Sequence, residues 1–214
     1  MSRPCQEVHL KDTESGTLVP AVLCEGLSDQ NLKDYEHLWR PLLLDNAIRV
    51  LLRLKPIEST PEDMHWDWRN KLVASAQAPL AFREYAIECE GETQGLMQIN
   101  LGLNNSRLEP GKPLLYVQYV QTAPWNRGKI PNRRKYALVG TLLLMTAIRV
   151  SEEEGFNGRI GLHSLPRAET FYKGRFMTEF ENDITHQNLK YYELNEKSAA
   201  GMLDNMKKMG TQHD

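Results

Sequence analysis

The sequence predicts a mixed α/β fold, one sheet with helices packed on its faces. Three observations carry this expectation. The elements run helices, hairpin, strand, helix, strand, helix, strand, an order that builds a mixed sheet covered by helices. Residues 114–121 carry Tyr116, Val117, Tyr119 and Val120, the β-branched and aromatic types that suit a central strand. Residues 136–154 then repeat apolar side chains at helical spacing before a short strand at 159–163, a unit expected to be parallel and right-handed.

Ahead of that unit, residues 1–26 read as a polar lead-in ending in a strand at 18–24, between turn-prone Gly16 and Gly26. Ser28 or Asp29 caps a helix with Leu32, Tyr35, Leu38 and Trp39 at helical spacing. Pro41 interrupts the pattern before Leu43, Ala47, Ile48 and Leu51 resume it, so two helices or one kinked helix are expected. Ser59, Thr60 and Pro61 signal a further helix start, running to residue 77. The runs 83–90 and 95–101 form a hairpin through 91–94, and 104–113 is a loop rich in turn formers. Downstream, Gly155 stops the long helix, residues 166–174 form a short helix opening on Pro166, and 176–180 suit a strand. The last segment, 189–214, has helical propensity with a fraying end.

With 214 residues, 41% hydrophobic and 25% charged, the chain has the composition of an ordinary globular protein. One domain over residues 1–188 with a helical tail over 189–214 is the expected organisation. No apolar run reaches the roughly 20 residues of a membrane-spanning helix. The first ten residues hold no apolar stretch of signal-peptide length, so a cytoplasmic location without a membrane partner is expected. Cys5, Cys24 and Cys89 are too few and too scattered for a disulfide framework or a metal site and read as reduced thiols. The formal net charge of −2 argues against bulk attraction to nucleic acid. Locally, however, Arg127, Lys129, Arg133, Arg134 and Lys135 cluster without an acid. Such cations, placed before the free N–H groups that open a helix, suit a pyrophosphate; a solvated surface turn is the alternative.

These features resemble the GNAT superfamily of acyl-CoA-dependent N-acyltransferases. In that family, a strand ending in a Pro turn leads to an Arg/Gln-x-x-Gly-x-Gly/Ala loop that opens a long helix on the pyrophosphate of coenzyme A. Here the strand ends at Thr122-Ala123-Pro124. Aligning Gly140 with the last glycine puts Lys135 at the Arg/Gln position, Leu138 where the first Gly belongs, and Leu143 and Leu144 on the leucines that follow. A second register, through Arg127-Gly128-Lys129, is broken by Pro131 and Asn132. Further on, Ala168, Phe171 and Tyr172 match Ala-x-x-Phe/Tyr-Tyr, while Leu165 and Arg175 replace the family's Asn and Gly.

The resemblance implies an acetyl-CoA or other acyl-CoA co-substrate, no metal, and transfer to a primary amine by direct attack. It implies that Arg133, Arg134, Lys135 and the start of the helix at Val139, Gly140 and Thr141 hold the pyrophosphate, and that Ala168 also lies at the cofactor. The backbone at Val120, Thr122 and Ala123 would meet the pantetheine arm and the thioester carbonyl. Tyr172 would be the general acid, and His163, at the end of the preceding strand, a candidate base. Glu88 and Glu90 are weaker candidates, and Gln118 and Gln121 can orient water only. His65, Trp66 and Trp68 are core aromatics or the wall of a pocket for a cationic acceptor. A second reading is a GNAT-fold binding or interaction module that has lost turnover, and a third makes the basic loop a nucleic-acid contact. The acceptor is not legible in the sequence, and a homodimer stays open.

Overall fold

The computed structural model describes residues 3–128 and 134–210, with the side chains of the last helix described to residue 204. Nine strands form one mixed sheet in the order β6-β1-β2-β3-β4-β5-β7-β9-β8, flanked by helices. The chain divides into two compact units, residues 1–98 with 119–143, and residues 99–118 with 144–214. Strands β4 and β5 each pass from one unit into the other in sequence. Among the described residues, no helix is long and apolar enough to cross a membrane.

In the first unit, β1 (Cys5–Asp12) and β2 (Leu18–Glu25) form an antiparallel hairpin where the sequence suggested a polar lead-in. The register pairs Cys5 with Cys24, and the two form a disulfide. This corrects the expectation of three reduced thiols: β1 reads as polar because its side chains are mostly exposed, and only its pairing with β2 sets Cys5 opposite Cys24. Cys89 alone is free and buried.

One helical run follows. It comprises α1 (Asp29–Asp34), a π-helical turn at Tyr35–Trp39 and α2 (Arg40–Leu51). Ser28 caps α1 in a reciprocal capping box with Asn31, and Pro41, which has no N–H to give to the preceding turn, sits just past the π-helical turn. The buried Asp34 carboxylate accepts from Thr93 N at 2.8 Å and Thr93 Oγ1 at 2.7 Å, tying α1 to the sheet.

The helix expected from Pro61 starts later. Residues 57–59 form only a 3₁₀ turn, and α3 (Trp68–Ser75) begins where Asp67 accepts from Asn70 N. Asp67, not Ser59, is therefore the cap. Strands β3 (Phe82–Cys89) and β4 (Glu92–Asn100) meet at a turn tighter than expected, Glu90-Gly91, both at positive φ (53° and 77°). Leu32, Tyr35, Trp39, Trp68, Ala86, Leu96 and Ala123 form the core of this unit.

Strand β5 (Leu115–Thr122) runs into a 3₁₀ turn at Pro124–Asn126, and the short β6 (Tyr136–Ala137) pairs with the end of β1. Then comes α4 (Val139–Glu153). Its N-terminus packs tightly on β4: a Cβ added to Gly95 would lie 2.6 Å from Val139 Cγ1 and 3.0 Å from Leu143 Cδ1. We therefore expect Gly95→Ala to lower folding stability by about 1–3 kcal/mol, read as a shifted urea midpoint.

In the second unit, β7 (Ile160–Ser164) pairs parallel with β5, as the strand-helix-strand pattern predicted. A 3₁₀ turn at Pro166–Ala168 leads into α5 (Glu169–Lys173), then β8 (Thr178–Asp183). The expected helical run over 189–214 holds only from α6 (Glu196–Gly210), because Leu189–Leu194 is β9, inserted between β7 and β8. Its Glu193 is fully buried, and its Oε2 accepts from Arg107 N at 2.8 Å and Tyr191 OH at 3.1 Å. That buried acid, with Tyr191 and Tyr192, is why the segment does not read as a strand by periodicity.

Candidate functional site

The loop from β5 to α4 is held by buried polar networks. Gln94 Oε1 accepts from Trp125 Nε1 at 2.8 Å and from Asn126 Nδ2 at 2.9 Å, and Asn126 Oδ1 accepts from Tyr136 N at 2.9 Å. Arg127 grips Asp63 with both terminal nitrogens at 2.7 Å, while its Nε donates to the Thr122 carbonyl at 2.8 Å. Burial alone would raise the Asp63 pKa, but Arg127 and Gln121 outweigh it and hold the carboxyl below its ordinary value. Arg127 is thus a structural cation, neutralised by an acid 64 residues away in sequence.

Of the cations that the resemblance sets at the cofactor, the two described ones differ. Lys135 Nζ lies 3.2 Å from Glu90 and 3.8 Å from Glu92. Arg134 is exposed and its guanidinium folds against Gly128, where an added Cβ would lie 3.1 Å from Nε. Arg133 lies outside the described residues. Leu138 takes φ of 74°, the left-handed backbone that favours glycine. Its carbonyl accepts from Leu142 N at 2.9 Å, so Leu138 opens α4 directly before Val139, Gly140 and Thr141. By helix geometry, the first N–H groups of α4 have no partner within the helix and carry partial positive charge.

On β5, Val120 is half-buried, Thr122 has its carbonyl bound by Arg127, and Ala123 N donates to Gln94 O at 2.9 Å. Gln121 is buried, linking Asp63 to Trp68 Nε1 at 2.7 and 2.5 Å. The weaker acidic candidates are also engaged: Glu88 pairs with Arg3, and Glu90 accepts from Tyr136 OH at 2.7 Å.

Within the second unit, Tyr172 sits on α5 and is 7% exposed, edge-on to Phe171 at 5.2 Å and near Tyr192 at 5.7 Å between ring centroids. Its hydroxyl makes no hydrogen bond to a described residue. Burial pushes its pKa well above the ordinary phenol value, so it stays protonated. Ala168 caps the same short helix and is half-buried.

His163 on β7 is fully engaged. Nδ1 faces Tyr116 OH at 2.7 Å, Nε2 faces Asp183 Oδ2 at 3.2 Å, and the ring stacks on His186 at 3.9 Å. Burial first, and His186 second, push its pKa down to about 4, so it is neutral at pH 7 and a weak proton acceptor. The ligating atoms of His163, Asp183 and His186 lie within 4.8 Å of one another. The two ring planes are parallel to within 5°, and Arg107 holds Asp183 Oδ2 at 2.6 Å.

The aromatic group splits. Trp68 is core, His65 is exposed, and Trp66 makes an edge contact with Tyr119 of β5 at 5.0 Å. Between these two rings lies a residue that the sequence reading passed over. Lys71 Nζ is 3.1 Å from the Tyr119 centroid and 4.8 Å from that of Trp66. The only sequence signal was its place on α3 three and five residues after Trp68 and Trp66.

No protein-family model matches the chain. No curated protein matches it in sequence. Solved structures do match. The GNAT domain of S. lividans PAT aligns over 89% of this chain and 96% of its own at 11% identity, with a TM-score of 0.51. The PaiA N-acetyltransferase of Thermoplasma acidophilum, solved in complex with coenzyme A, aligns over 80% of this chain and 97% of its own at 12% identity and a TM-score of 0.49. A predicted acetyltransferase from Clostridium acetobutylicum, solved with acetyl-CoA, aligns over 75% and 91% at 15% identity and a TM-score of 0.45. The chain has the GNAT fold.

Proposed function

We propose that this chain is an acyl-CoA-dependent N-acyltransferase that moves an acyl group, acetyl in the simplest case, from coenzyme A to a primary amine by direct attack. The observation that carries the proposal is the start of α4. Leu138, which the resemblance sets on the family's glycine position, has a left-handed backbone, the helix opens directly after it, and Arg134, four residues earlier, is exposed. In this reading Arg134, Lys135, Arg133 and the N–H groups of Val139, Gly140 and Thr141 hold the pyrophosphate. The backbone of Val120, Thr122 and Ala123 receives the pantetheine arm, and Ala168 lines the cofactor site.

Tyr172 is the general acid. A buried phenol whose O–H serves no other described residue is available to protonate the departing thiolate. The attacking amine gives its proton to water rather than to His163, whose nitrogens face Tyr116 and Asp183 and whose pKa lies near 4.

Thiol release tests the reading. Incubated with acetyl-CoA and a panel of primary amines, the full chain should release free thiol faster than the amines alone; no release above that blank for any amine sinks the transferase. A binding module without turnover is the second reading, favoured by the side chain at Leu138. We expect Leu138→Gly to tighten acetyl-CoA binding by about tenfold, since it removes a bulky group from the helix opening. Its folding stability should move by less than about 1 kcal/mol, because relief of the left-handed conformation offsets the entropy of glycine.

A further inference from the structure

Lys71 is placed as few lysines are. The amine of this half-buried side chain makes no hydrogen bond and no ion pair with a described residue, and it ends against the ring faces of Tyr119 and Trp66. Asp67, the one charged group among the described residues that acts on it, is the cap of α3, accepting from Asn70 N at 3.0 Å. Tyr119 comes from the neighbouring β5, and its backbone is adjacent to Val120, which the proposed function sets against the thioester carbonyl. A half-buried amine beside that strand is chemically an acceptor.

We infer that Lys71 is itself acylated by the acyl-CoA that this chain binds, a modification site built from α3, Trp66 and Tyr119. The inference rests on the acyl-CoA reading above. In the step, the neutral Nζ forms a bond to the thioester carbonyl carbon, the tetrahedral adduct breaks its C–S bond, and the proton lost by nitrogen leaves with the coenzyme A thiol. The product is an uncharged amide between two aromatic rings, a better occupant of an apolar slot than an ammonium. Burial lowers the Lys71 pKa to about 8 despite Asp67, so a sizeable neutral fraction exists near neutrality.

The experiment incubates the full chain with acetyl-CoA between about pH 6 and pH 10 and reads acetylation of each lysine by peptide mass spectrometry, with acetyl phosphate at equal concentration as the second probe. The exposed Lys33 and Lys197 serve as internal references. Lys71 should react at least about tenfold faster than either, with a rate that saturates in acetyl-CoA and levels off just above pH 8. Calorimetry on the same sample separates the two claims. Acetyl-CoA binding with Lys71 unmodified overturns this inference and leaves the proposed function standing. Labelling by acetyl phosphate as fast as by acetyl-CoA also overturns it, since that is reactivity without directed transfer. Absence of acetyl-CoA binding removes both.

Discussion

Asp63→Ala should cost about 3–5 kcal/mol of folding stability, the largest loss expected from any single truncation in the loop region. Asp63 is 5% exposed and takes two hydrogen bonds from Arg127 and one from Gln121, each at 2.7 Å. Removing the carboxylate strands a guanidinium whose side chain is only 20% exposed. The same guanidinium holds the Thr122 carbonyl at the end of β5, so the loop entering α4 should loosen too. The double variant Asp63→Ala/Arg127→Met should recover part of the loss, because it leaves no unpaired charge behind. The pH dependence has a definite sign. Asp63 titrates lower in the fold than in the unfolded chain, so its contribution is complete above about pH 4 and falls away as acid protonates the folded carboxyl. A urea midpoint for Asp63→Ala equivalent to less than about 1 kcal/mol of loss would contradict this account of the pair.

Tyr172→Phe should lower kcat by about a hundredfold while leaving KM for acetyl-CoA within about twofold. The substitution keeps the ring between Phe171 and Tyr192 and deletes only a hydroxyl with no described partner, so stability should change by less than about 0.5 kcal/mol. Steady-state kinetics with any accepted amine, beside a thermal melt, give both numbers. A variant as fast as the parent removes Tyr172 from the chemistry; a variant equally slow because it is unfolded shows up in the melt.

Much of the fold was legible in the sequence because its central unit is locally encoded. Strand β5, the long apolar α4 and β7 each carry their own periodicity, and β5 and β7 are parallel as the connection requires. What was hidden depends on partners distant in sequence. β1 reads as a polar lead-in until it pairs with β2, and only then do Cys5 and Cys24 face each other. β9 carries a buried Glu193, an acid that periodicity counts as surface and that the Arg107 backbone satisfies. The helix expected at Pro61 fails because Asp67 offers the cap that its own geometry requires.

The candidate site divides the same way. Leu138 takes the positive φ that favours glycine, which its residue type does not announce. Yet the basic cluster that drew attention is partly neutralised by acids invisible to a local reading: Asp63 takes Arg127, and Glu90 takes Lys135. His163 reads as a free base in sequence and is bound at both ring nitrogens in the fold. Lys71 is not legible in the sequence because its partner, Tyr119, lies on another element, a contact between α3 and β5.

The central claim is that the opening of α4 binds an acyl-CoA, and calorimetric titration of acetyl-CoA into the full chain tests it before any acceptor is known. The account predicts saturable binding that weakens by about tenfold in Arg134→Ala and falls with added salt. No saturable heat at millimolar acetyl-CoA would contradict it.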